Sequence, residues 1–77
     1  MKYQITIPQI HCSGCVNLIK ITFEDYFENI NVDEQNKIAS FRTDEGIEEV
    51  ITILNKVFQE ELEPAGYKYS DLKQFNS

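Results

Sequence analysis

The chain has 77 residues, which bounds it to one small domain with a thin core. Hydrophobic residues make up 42%, which excludes a disordered tail, and no apolar run approaches the ~20 residues a membrane span needs. Thirteen acidic residues against seven basic ones give a formal charge of −6, which argues against nucleic acid and against an anionic membrane surface.

Lys2 to Ile10 is predicted as a first strand, with Tyr3, Ile5 and Ile7 alternating with Gln4 and Thr6. Pro8 cannot donate to a ladder, so it marks the strand's end or a free edge. The same stretch lacks the apolar segment of a secretory signal, and a cytoplasmic location is expected. His11 to Gly14 form a loop, with Ser13 or Cys12 opening the next helix.

The first helix is predicted from about Ser13 or Gly14 to about Glu28. Val16, Ile19, Phe23, Tyr26 and Phe27 lie on one apolar face, with Leu18 and Thr22 at its flanks. Two short strands follow, Ile30 to Asp33 and Lys37 to Arg42, joined as a hairpin by Glu34-Gln35-Asn36. Ile38 and Phe41 are out of phase, so a bulge or register slip is expected in the second of them.

The second helix carries Ile47, Val50, Ile51, Leu54, Val57, Phe58 and Leu62 at spacings of three and four. Thr43 or Asp44 can cap it, and Pro64 and Gly66 stop it. Tyr67 to Leu72 is predicted as a last strand, with Lys73 to Ser77 frayed. Strand, helix, strand, strand, helix, strand is the order of an α+β, ferredoxin-like βαββαβ sandwich, an antiparallel sheet with two helices on one face. One domain over 1–77, with a core of about 2–72, is expected.

Cys12-Ser13-Gly14-Cys15 opens the first helix and holds the only two cysteines in the chain. Residues three apart on a helical turn face the same side, so the sulfurs can converge on one soft ion or close as a disulfide. Helix-start N–H groups and the positive end of the dipole favour thiolate, a ligand suited to copper(I) and zinc. In a reducing compartment such a pair points to metal binding or redox catalysis rather than to a structural staple. Two Cys and one His cannot close a four-ligand zinc site from one copy, which points to a low-coordinate, transferable ion.

Ile10-His11-Cys12-Ser13-Gly14-Cys15, after a strand and opening a helix, resembles the MxCxxC loop of the heavy-metal-associated domain family. That family includes small bacterial copper chaperones and the N-terminal domains of metal-transporting P-type ATPases. Gly66-Tyr67 is similar to the Gly-Tyr that chaperones of this type carry before their last strand. The resemblance implies a copper(I) chaperone or buffer, with Cys12 and Cys15 as ligands and hand-off by thiolate exchange to a P-type ATPase or similar metal-binding domain. It also allows a metal-bridged homodimer, and zinc or cadmium in place of copper. Ile10 stands where the family motif has methionine, at similar volume, and Gln9 where it has glycine. The stretch from Asp44 to Gly66 is a turn or two longer than the family's second helix segment, which leaves the position of Tyr67 relative to the loop open.

His11 is the only histidine and can add a third ligand or tune a thiolate, or simply face water. Alternation in an extended loop would point it away from Cys12, so ligation would need a loop distortion or a second copy. Ser13 and Gly14 fit helix initiation and close backbone approach. Lys68 can compensate a bis-thiolate charge or be a surface lysine. No enzymatic activity is expected. The competing enzymatic reading is a thioredoxin- or glutaredoxin-like dithiol oxidoreductase, against which stands a motif without Trp or Pro. Met1 and the frayed tail expected after Leu72 favour a free-standing protein over an excised transporter domain.

Overall fold

A computed structural model describes residues 1–75. Four strands, β1 (Lys2–Thr6), β2 (Glu28–Asp33), β3 (Ile38–Arg42) and β4 (Ser70–Phe75), form one sheet in the order β2-β3-β1-β4. All three pairings are antiparallel. The helices α1 (Ser13–Glu24) and α2 (Ile47–Val57) complete the expected ferredoxin-like arrangement. Tyr3 and Ile5 of β1, with Ala39 and Phe41 of β3, pack with Ile19 and Phe23 of α1 and Val50, Leu54 and Val57 of α2 in a single core. The aromatic rings concentrate there: Phe23 meets Phe27, Phe41 and Phe58 edge-on, and Phe27 stacks on Phe41 at 4.1 Å.

Several boundaries differ from those read in the sequence. β1 ends at Thr6, because Ile7-Pro8-Gln9-Ile10 turns, with the Ile10 N–H donating to the Ile7 carbonyl at 3.1 Å. Helix α1 stops at Glu24, so that Phe27 can swing off the helix onto Phe41; Tyr26 is left exposed and Glu28 opens β2. The predicted irregularity lies on the other strand of the hairpin. β3 keeps an unbroken register with β1, its core residues being Ala39 and Phe41, while β2 carries the extra residue between Glu28 and Asn31. Asn29, at φ 50°, absorbs that bulge.

Neither Thr43 nor Asp44 caps α2. Gly46 is the N-cap, and no side-chain bond is made there. Ile47 and Ile51 are exposed rather than core, since the packed stripe is Val50, Leu54, Val57, Phe58 and Leu62. Beyond Val57 the helix widens into a π turn at Phe58–Leu62 and tightens into a 3-10 turn at Glu63–Ala65. The last strand is shifted. It runs Ser70–Phe75, pairs Lys2, Tyr3 and Gln4 with Phe75, Gln74 and Lys73, and bulges beside Asp71, so residues 73–75 are paired and not frayed. The remainder of the predicted frayed tail, Asn76 and Ser77, lies outside the described residues. Among the described residues no helix is long and apolar enough to cross a membrane.

Candidate metal centre

Three segments meet at one end of the sheet: the loop after β1, the first turn of α1, and the segment between α2 and β4. Cys12, in extended conformation, is the N-cap of α1, so Ser13 is the first helical residue rather than the cap. No side chain caps this helix start, so its first N–H groups have no side-chain acceptor and its positive end lies beside the thiols. Cys15 follows one turn later. Its sulfur lies 3.2 Å from that of Cys12, with Cys12 exposed, Cys15 buried and both thiols free. A Cβ placed on Gly14 would meet only the Cys12 sulfur, at 3.7 Å, an ordinary contact, so no close approach demands glycine there. Ile10, which stands where the resembled motif has methionine, is wholly buried.

His11 joins the pair without a second copy. The ligand atoms of His11, Cys12 and Cys15 all lie within 4.8 Å of one another. Alternation separates His11 from its neighbour Cys12, but Cys15 returns one helical turn on, and His11 Nδ1 lies 3.7 Å from the Cys15 sulfur. The same nitrogen is 2.8 Å from the Gln9 carbonyl. A carbonyl only accepts, so Nδ1 carries the proton in neutral His11, and the lone pair resides on Nε2.

Tyr67 reaches the site despite the long second helical segment. The Gly66 N–H donates to Glu63 O and the Tyr67 N–H to Leu62 O, both at 2.9 Å, with Gly66 at φ 96°. This is a Schellman closure, which reverses the chain and returns Tyr67 to the core. The Tyr67 hydroxyl, then the His11 backbone, then Cys12, outweigh burial and hold the Cys15 thiol down to about 6. The partner effect pushes the Tyr67 hydroxyl up to about 12, chiefly through Cys15 and then burial.

Two residues that the sequence reading did not single out as site residues tie the segments together. Gln9 accepts the Lys68 N–H through Oε1 at 3.1 Å, which joins the loop to the Tyr67 segment. Lys68 itself is exposed and precedes the strand. Lys37, at the end of the β2–β3 turn, donates from Nζ to the Ile10 carbonyl at 2.5 Å. Neither contact has a signal in a single chain, because each joins residues far apart in sequence.

The donor set is soft, partly exposed and incomplete for a closed zinc site, since it offers two sulfurs and one imidazole. Zinc at ~2.3 Å from each sulfur in tetrahedral geometry would hold the sulfurs ~3.8 Å apart. Metal entry therefore asks the sulfurs to separate, and the exposed Cys12 is the one free to move. No family model, curated protein or solved structure matches this chain.

Proposed function

We propose that the protein carries a soft metal ion, copper(I) in the first place, on Cys12 and Cys15 and releases it by thiolate exchange. The observation that carries the reading is the free pair of sulfurs at the uncapped start of α1, with the buried Cys15 held toward thiolate by Tyr67. Two thiolates suffice for a near-linear copper(I) site and leave an accessible face for an incoming sulfur. Zinc and cadmium are alternatives for the same donors, with His11 as helper through Nε2 once its ring turns. The resemblance to the heavy-metal-associated family supports a copper chaperone or buffer of the cytoplasm. Its expected partner is a metal-transporting P-type ATPase or another domain of this kind, and copper can also bridge two copies.

A dithiol oxidoreductase shares the close sulfurs. Disulfide exchange begins with attack by an accessible thiolate, whereas the stabilised thiolate here is the buried Cys15. This favours holding an ion over attacking a disulfide. Competition with a copper(I) chelator tests the reading: Cys12→Ser and Cys15→Ser should each lose tight binding of one ion per chain. Wild-type affinity in either variant defeats the two-thiolate site.

A further inference from the structure

The turn before the metal loop has four backbone groups to satisfy at its two ends. Ile10 N–H and Ile7 carbonyl bond each other across the turn. The other two both go to one residue: the Ile7 N–H donates to the Lys37 carbonyl at 2.8 Å, and the Ile10 carbonyl accepts from Lys37 Nζ at 2.5 Å. We propose that Lys37 is a positioning residue for the metal loop, its ammonium fixing the plane of the Ile10–His11 peptide and so the placement of the two thiols.

Three observations support this. The Ile10–His11 peptide has its carbonyl on the Lys37 ammonium and leads directly into Cys12, the N-cap of α1, so the cation holds the peptide from which both thiols follow. Lys37 also holds a left-handed backbone at φ 60°, where glycine or asparagine is at home. Among the described residues the other two non-glycine residues of positive φ are Asn29 and Asp71, which tolerate it; Lys37 is the exception, and its side chain has work that a better turn residue could not do. Finally, the turn is built to deliver it. Asp33 accepts the N–H groups of Gln35 and Asn36 at 3.0 and 3.1 Å and the Asn36 side chain at 2.8 Å, fixing the chain that leads to Lys37.

The role rests on the metal-binding reading, and the test separates the two. Lys37→Met keeps the stem and backbone preference but removes the ammonium, and Lys37→Arg restores a cation. Copper(I) affinity by chelator competition should fall about tenfold in Lys37→Met and return close to wild type in Lys37→Arg, as for other residues that orient metal ligands. In the metal-free, reduced protein the His11 amide should exchange with deuterium faster in Lys37→Met and at the wild-type rate in Lys37→Arg. Lys37→Asn suits the left-handed backbone yet cannot reach Ile10; it should show both losses with a thermal midpoint no lower than wild type. An unchanged His11 amide in Lys37→Met overturns the proposal, as does a loss of affinity that only follows falling midpoints. Wild-type protein that holds no copper(I) overturns the metal reading instead, and the amide rates then still decide whether Lys37 holds the loop.

Discussion

Cys15 has its chemistry set by a residue 52 positions away, and pH exposes that pairing. Its thiol titrates at about 6 in the folded chain, below the value of about 8.5 for a free thiol in the unfolded chain. A depressed folded value contributes stability that is fully present above the unfolded value and is lost as pH falls through the folded one. The thermal midpoint of reduced, metal-free protein should therefore rise between pH 6 and 8.5. Tyr67→Phe, lacking the hydroxyl that most lowers the Cys15 thiol, should flatten that rise and shift the thiolate absorbance of Cys15 to higher pH. A rise of equal slope in Cys15→Ser would remove Cys15 as its source. His11 makes a different prediction. Its Nδ1–H is committed to the Gln9 carbonyl, so it stands beside the sulfurs as a donor rather than as a ligand. His11→Ala should change copper(I) affinity by less than about tenfold, ~1.4 kcal/mol, and weaken zinc more. Titration of both proteins with each ion checks the two halves; a copper loss as deep as for a cysteine variant would promote His11 to a primary ligand.

At the scale of elements, the segment after α2 decides whether Tyr67 arrives at all. The apolar repeat through Leu62 was legible as helix, and Pro64 and Gly66 as its end, because periodicity and breakers are local signals. The π turn was not, since Phe58 and Leu62 stay four apart whether the turn between them is α or wider. That wider turn rotates the last helical carbonyls, and the closure at Gly66 then aims Tyr67 inward. The same limit hid the shift of the last strand: Tyr67 and Tyr69 look like strand residues by composition, while the register that starts pairing at Ser70 is set by β1. The cysteine pair was legible from its position on a strand–helix junction and Ile10 only through the resemblance of the loop, whereas Lys37 and Gln9 act through contacts that only the fold creates. Gly66→Ala is the informative change here. Nothing lies within 4 Å of an added Cβ, so any cost comes from the backbone at φ 96°, roughly 1–2 kcal/mol. It should lower the thermal midpoint and, by loosening Tyr67, raise the Cys15 thiol titration toward its ordinary range. Gly14→Ala, with ordinary contacts inside a helical first turn, should leave the midpoint unchanged or higher. Equal destabilisation by the two would show that the left-handed closure is not what glycine supplies at 66.

For the whole molecule the question is whether the ion builds the fold or merely rides on it. In a zinc finger the metal replaces a missing core, and the apo chain is unfolded. Here, among the described residues, eleven large side chains from both helices, the sheet and the loops are sealed from solvent, and neither cysteine is among them. Cys15 lies at the rim of that core and Cys12 outside it. Phe23, by contrast, touches three other rings at its centre. The metal-free, reduced protein should therefore unfold in one cooperative transition and give dispersed amide signals. A Cys12→Ser, Cys15→Ser double variant should do the same while binding no copper(I). Phe23→Ala should instead cost about 3–5 kcal/mol, enough to threaten a domain of this size whether or not metal is supplied. Thermal melts of these proteins with and without copper(I) separate the alternatives. Added ion should raise the wild-type midpoint by mass action alone and leave the double variant where it was. A wild-type chain that folds only when copper(I) is present would make the metal structural, and the transferable-ion reading would fall with it.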